Sequence, residues 1–306
     1  MRIKHLLIAS AMVAFTFGIT SCKKDNNNST TTDTATETKT QADDQSFFSN
    51  ETDIATNEAN ASFETYAGSA TQTPVGIETP PGFTLPCDAA VTVDTASSPR
   101  TITIVYNGNS CDLRRTRTGT IIISFAQGFR WREANASLTA QFVDFKVTRK
   151  NDSKSVVING TRIITNVSGG LLRDLATTDS IVHKIDDTNM TVTFDNDKKR
   201  TWETHFTRIF KYNNGIVVST TGHVIGTNRF GDAFTSTITQ PLVITQSCDF
   251  NLVSGQVQHT GAKITSTLTF GLDAAGNPVS NCPVLLYYKV VWTGPNGSSL
   301  IYIGVY

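Results

Sequence analysis

The densest polar cluster in this 306-residue chain is Trp202-Glu203-Thr204-His205. On a strand, side chains two positions apart share a face, so Glu203 and His205 would stand together. A carboxylate beside an imidazole is the pairing of a general base with the group that orients it. No nucleophile or second acid lies near it in sequence, and a cross-strand salt pair accounts for the same two residues. His183, His205, His223 and His259 are spread too evenly for a metal triad, and they read as packed or surface histidines. Asp195-Asn196-Asp197 offers oxygens to calcium, but the EF-type loop needs D-x-D-x-D-G and a distal Glu, whereas Lys198 and Lys199 follow here. A hairpin tip fits that segment better. Phe129, Trp131, Trp202, Phe206, Tyr287, Tyr288 and Trp292 could line a glycan platform, yet core packing accounts for most rings in a chain so rich in β-branched residues. There is no G-x-S-x-G, no phosphate loop and no H-E-x-x-H. The expectation is therefore of no enzyme, no catalytic residue, no cofactor and no metal.

Charge narrows the partners. The formal net charge is zero, with 26 basic and 26 acidic side chains interspersed. Nucleic-acid binding needs a basic face, and no such footprint is present. The one local basic cluster, Arg114, Arg115 and Arg117, reads as solvated charge on an exposed strand edge or turn.

Five cysteines divide into one and four. Cys87, Cys111, Cys248 and Cys282 are an even set, which in an exported chain reads as two disulfides. Four cysteines allow three pairings. Short separations close most readily, which favours Cys87–Cys111 and Cys248–Cys282. Zinc is the poorer reading, since no C-x-x-C pair or clustered histidine accompanies them.

The remaining cysteine stands at the end of a secretory signal. Arg2 and Lys4 precede an uncharged apolar run from Leu6 to Ile19. About 14 residues at ~1.5 Å each fall short of the ~30 Å hydrocarbon core, so the run reads as a signal h-region and not a permanent span. It closes on Ile19-Thr20-Ser21-Cys22, which resembles the lipobox of bacterial lipoproteins, with Ile19 where Leu is commonest. The resemblance implies that residues 1–21 are removed and that Cys22 receives lipid; two or three acyl chains anchor a protein stably. Lys23 comes next, so the inner-membrane retention signal of Asp at that position is lacking, and the outer membrane is the expected location.

Any site must be carried by the elements beyond this signal. Residues 22–46 are Thr-, Asn- and acid-rich and have almost nothing to bury; they read as a disordered polar tether. Between 47 and 67 the apolar residues Phe47, Ile54, Ala55, Ala59, Phe63 and Tyr66 fall on one helical stripe, which predicts an amphipathic helix docked on the β-rich body. Residues 68–86 carry Gly, Thr and four prolines and read as a linker.

From 87 to 306 the chain is a succession of short runs rich in Val, Ile, Thr and Phe, broken by Gly, Asn and Asp. The runs are Thr101–Tyr106, 118–125, 137–148, 156–166, 190–194, 202–210, 216–227, 233–245, 263–271, 283–292 and 300–305. Asp195-Asn196-Asp197, Asn213-Asn214-Gly215 and Asn296-Gly297 supply turns, and Asn159-Gly160 would bulge or split the run that holds it. The gaps are too short for helical crossovers, so pairing should be mainly antiparallel. The fold class is all-β, as a sandwich or a curved meander, with one N-terminal amphipathic helix. Gly160-Thr161-Arg162 with Asn166 echoes Gly226-Thr227-Asn228-Arg229, and the two cysteine segments echo one another, which raises the option of two similar halves.

Lipobox, polar tether, β-rich body, the Gly-Thr-Asn-Arg element and late cysteines together resemble a group of uncharacterised surface lipoproteins of Gram-negative bacteria. The resemblance implies display from the outer membrane through lipid on Cys22 and carries no activity with it. The expected role is binding of an envelope or extracellular ligand, or a structural one. Two rivals are an envelope glycan hydrolase with sequence-dispersed acids, and a lipid or lipoprotein carrier with an apolar cavity inside a curved sheet.

Overall fold

The computed structural model describes residues 28–66 and 86–306, apart from 112, 249, 263, 284, 294–298 and 306. The signal segment 1–21, Cys22, the linker 68–85 and the turn at Asn296-Gly297 lie outside the described residues.

The β-branched runs pair in chain order. The first strands are β1 (Ala89–Asp94), β2 (Arg100–Asn109), β3 (Arg115–Phe125), β4 (Ala136–Arg149) and β5 (Ser155–Asn166). A 3-10 turn at Leu172–Thr177 leads to β6 (Ile181–Phe194), β7 (Lys199–Tyr212), β8 (Ile216–Thr227) and β9 (Ala233–Thr245). The last are β10 (Asn251–Gly261), β11 (Thr265–Leu272), β12 (Tyr287–Thr293) and β13 (Ser299–Val305). Each pairs antiparallel with the next, giving one 13-stranded open meander in sequence order. The meander, not the sandwich, is thus the arrangement. An open sheet of more than about ten strands curls, and this one curls around a helix.

Bulges supply curvature, because an extra residue bends and twists its strand. Asn159-Gly160 bulges β5 without splitting it: the register shifts there, and Asn159 Oδ1 accepts the Asp144 amide at 2.8 Å. Gly255 lies in a stretch where the β9–β10 register shifts repeatedly, and its φ of +136° suits glycine. A Cβ there would meet the Pro241 carbonyl at 2.7 Å and the Leu242 side chain at 2.6 Å.

The helix, α1 (Asn28–Tyr66), runs much further toward the N-terminus than its apolar stripe indicated. Residues 28–46, expected as part of a disordered tether, are helical. Thr38, Gln41, Ala42, Asp44, Gln45 and Ser46 are buried. The stripe itself packs as expected, with Phe47, Ala55, Ala59 and Phe63 buried. The opposite face is buried as well, through Asn57, Asn60, Ala61 and Glu64. The physical reason is the curl: a sheet that wraps a helix covers more than one of its faces. Phe48 meets Trp202 of β7 at 3.9 Å between ring centroids, and Phe63 meets Phe125 of β3 at 5.1 Å and Trp131 at 5.4 Å. At the other end, Lys39 lies over Tyr302 of β13.

The four body cysteines form Cys87–Cys111 and Cys248–Cys282, the pairing with the shorter separations. Two disulfides indicate an oxidising, extracytoplasmic compartment. Among the described residues no helix is long and apolar enough to cross a membrane.

Candidate ligand-binding cleft

Strand periodicity aims every second side chain at the helix, and on many strands that side chain is an arginine. From β3, Arg117 grips Asp88 through Nε at 2.8 Å and reaches Glu58 of α1 at 2.8 Å, while Tyr106 donates to the same carboxylate at 2.8 Å. Arg115 meets Glu51 at 2.7 Å, and Arg149 of β4 meets Asp43 at 3.2 Å. On β5, Arg162 pairs with Asp187 at 2.6 and 2.8 Å and donates to Thr56 Oγ1 and the Thr52 carbonyl. On β7, Arg200 donates to Gln45 at 2.7 Å, and Arg208 pairs with Asp53. Beyond β8, Arg229 grips Asp44, with Nε at 2.7 Å.

These ion pairs explain how so polar a helix can be buried: a desolvated charge is tolerated when it is paired and hydrogen-bonded. Burial pushes the Glu58 and Asp44 carboxyls up from the usual range, against the arginines that hold them down. Glu64 is raised to about 7, because burial outweighs the amide bond it accepts from Leu172 at 2.9 Å. Arg115 and Arg117, expected as solvated surface charge, are instead part of these contacts. Helix carboxylates far away in sequence draw them inward.

The residues singled out for chemistry are not brought together. Glu203 is exposed and His205 half-buried, on the outward-facing positions of β7. His205 Nδ1 meets Asp186 at 2.9 Å across the strand pair, and its ring lies 5.2 Å from His223. His183 is buried inside, against Phe210 at 4.8 Å and Trp131 at 5.2 Å, and burial drives its pKa down to about 3. Among the described residues no group of His, Cys, Asp and Glu could hold a metal. Asp195-Asn196-Asp197 forms the β6–β7 hairpin, closed by the Asp197 amide on the Phe194 carbonyl at 3.0 Å. Trp131, Trp202, Tyr288 and Trp292 are buried in the interior.

A cleft opens where the helix and the sheet part. The buried core is divided: one cluster holds Ile216, Val218 and Ile244, another Val257, Leu268 and Phe270. Between them lies a small cavity of about 40 Å³. One wall is sheet, from Phe206 on β7 through Ile238, Leu242 and Ile244 on β9 to Val257 and Phe270. The other is helix, with Ser46, Ser49, Asn50, Asp53 and Asn57 beside Ile54. Phe206, Ile238, Leu242 and Ile54 are only half-buried, so apolar surface faces the cleft. Asn57 is 9% exposed, and its Oδ1 has no hydrogen-bond partner.

Ser236 of β9 also lines this cleft and hydrogen-bonds His259 Nδ1 of β10 at 2.8 Å. A serine and a histidine in contact invite comparison with an activated nucleophile. Burial, with Arg200 nearby, lowers the His259 pKa to about 4 and keeps the ring neutral near neutral pH. The cleft carboxylate, Asp53, is already paired with Arg208. A polar helix wall and an apolar sheet wall thus face one another across the cleft.

Sequence reasoning did not find this cleft. Its apolar wall was legible as strand, but its opening depends on bulges in β8–β10 and on a helix that packs short of the sheet there. No family model, characterised protein or solved structure matches the chain.

Proposed function

We propose that the protein is an envelope lipoprotein, anchored in the outer membrane through lipid on Cys22, whose body binds a ligand and catalyses nothing. The observation that carries the binding reading is the cleft between α1 and β7–β11, with its half-buried apolar wall and the unpartnered Asn57 carbonyl. Apolar walls with a few placed polar groups are the usual lining of a small-molecule site. The anchor is supported by the Ile19-Thr20-Ser21-Cys22 sequence, and an extracytoplasmic address by the two disulfides.

The glycan-hydrolase reading has less support. It needs two carboxyls about 5–9.5 Å apart across a cleft with one kept protonated, whereas the one carboxylate among the described lining residues is paired with arginine.

Metabolic labelling with a fatty-acid probe tests the anchor. Wild type should take up label and Cys22→Ala should not; equal labelling would remove the lipoprotein reading. Protease shaving of intact cells then separates surface display from a periplasmic orientation. A binding screen of the full chain against lipids, envelope glycans and extracellular proteins tests the role itself. Turnover of any of them by the purified chain would refute it.

A further inference from the structure

We propose that a second cavity, beside the N-terminal half of α1, takes one neutral sugar residue. It goes beyond the reading drawn from the cleft, with which it shares no described lining residue.

The cavity holds about 490 Å³ between α1, the β4–β5 and β6–β7 hairpins and the strands β12 and β13. At ~30 Å³ for each water-sized group, that is space for roughly 16 non-hydrogen atoms, about the number in an N-acetylated hexose.

The charges on its walls select a neutral guest. The described lining carries four cations, Lys39, Arg149, Lys154 and Arg229, against four carboxylates, Asp43, Asp44, Asp152 and Asp195. Arg149 spans Asp43 at 3.2 Å and Asp152 at 2.7 Å, Lys154 reaches Asp43 at 2.9 Å, and Arg229 holds Asp44. Lys39 lies over the Tyr302 ring, and both it and Asp195 are exposed to water. A charged ligand would have to break one of these pairs or bring its charge beside a like one, which is costly where water is excluded.

A hydroxyl needs neither; it needs an acceptor and a donor side by side. Among the described residues Asp43 Oδ1 accepts one bond, from Arg149 Nη1 at 3.2 Å, and that nitrogen donates only this one. The oxygen keeps a lone pair and the nitrogen an N–H. Adjacent hydroxyls of a sugar can donate to the first and accept from the second. Both groups are already fixed by their ion pairs, so little freedom is lost when they bind. Tyr302, half-buried, adds ring surface that can cover the C–H face of a pyranose.

The test is isothermal titration calorimetry of the full chain carrying Cys22→Ser with N-acetylglucosamine, glucose and galactose. Saturable binding of one equivalent of at least one of them is expected. Glucosamine, a cation on the same ring, and glucuronate, an anion, should each bind at least tenfold more weakly. Asp43→Asn keeps the shape of the side chain and releases Lys154 and Arg149 from their carboxylate. It should weaken the neutral sugar about tenfold and make glucuronate the tighter ligand, an exchange of preference that a merely structural loss would not produce. Ser155→Trp, which fills the cavity from β5, should abolish binding while the melting temperature holds; if that variant does not fold, Asn151→Trp on the exposed rim replaces it. The N-acetylglucosamine trimer separates the two sources of such a ring: binding as tight as the single sugar marks the end of a glycan, and its exclusion marks a free sugar. Absence of saturable binding of all three neutral sugars by the parent chain would overturn the proposal. So would equal binding of glucosamine or glucuronate, or undiminished binding by a folded cavity-filling variant. Those failures leave the cleft and its reading untouched, because the two cavities are separate.

Discussion

Replacing Arg162 by leucine should be among the most damaging single changes in the body. Its guanidinium and the Asp187 carboxylate meet in two bonds of 2.6 and 2.8 Å, and their side chains are 2% and 0% exposed. The same guanidinium donates to Thr56 Oγ1 and to the Thr52 carbonyl, so it also ties β5 to the helix. Leucine fills part of the volume but leaves Asp187 charged in a dry interior. Removing one partner of a buried pair costs about 3–5 kcal/mol. For a domain of this size that is a fall in melting temperature of roughly 6–20 °C. The assay is guanidinium unfolding followed by tryptophan fluorescence, with disulfides intact. The double variant Arg162→Leu, Asp187→Leu should recover most of the loss, because an apolar pair of similar volume replaces a buried ion pair at little cost. Hydrogen exchange at the amides of residues 52–56 should quicken in the single variant. A loss below about 1 kcal/mol would refute the claim that this pair is desolvated and that the helix docks through it. A double variant no more stable than the single would show that the unpaired charge is not the cause.

Three further outcomes rest on the buried ionisable groups and the disulfides. Glu64 has a folded pKa near 7 against 4.5 for an ordinary glutamate, so the folded state binds more protons between those values and stability declines as pH rises through that window. Glu64→Gln should flatten that decline and raise the melting temperature at pH 8, by an amount equivalent to about 1–3 kcal/mol; an unchanged pH profile would contradict it. His183 behaves oppositely: its pKa is near 3 when folded and near 6.5 for an ordinary histidine, so the unfolded chain takes the proton first and stability is lost as pH falls below about 6.5. His183→Phe should remove part of that acid limb, measured as melting temperature from pH 7 to 4. Reduction of Cys87–Cys111 and Cys248–Cys282, which close separations of 24 and 34 residues, should cost about 3–4 kcal/mol each on the chain-entropy account. Paired Cys→Ala variants measured by denaturant midpoint check each one.

Much of the sheet was legible because β-branched alternation is a local signal. Ile216–Thr227 and Ala233–Thr245 end where that pattern ends. The failures share a different cause. The first half of β6 was hidden by Asp186-Asp187-Thr188-Asn189, a polar run that reads as a breaker. Asp187 points inward only because Arg162, 25 residues earlier, is waiting for it. β10 was missed because Gly255 and its glutamines interrupt the apolar alternation, although Val257 and His259 are buried. The supposed tether from residue 28 to 46 was misread for the same reason. Asp43, Asp44 and Gln45 look solvated in sequence, and their arginines come from positions 149, 229 and 200. Hydrophobic patterning finds what water repels; it cannot find polar groups buried against distant polar partners.

That distinction bears on the cleft. Had the helix been held by apolar packing alone, the simplest structure would have been one continuous core with no opening. Directional contacts to arginines on β3, β4, β5 and β7 instead fix where α1 lies, and they do so irrespective of whether every apolar side chain opposite it finds a neighbour. The sheet is meanwhile shaped by its own bulges, which shift register between Thr220 and His223 and again through Leu252–Val257. Two elements positioned by separate sets of constraints need not meet everywhere. Where they do not, Ile238 and Leu242 face Ser49 and Asn57 across a gap whose walls are already set. A ligand entering such a gap orders little that was not ordered before, and preorganisation of that kind favours affinity because less conformational freedom is lost on binding. On the proposed binding role the arginine contacts act indirectly: they keep a polar helix in an apolar sheet at a fixed distance from the strands it leaves partly uncovered.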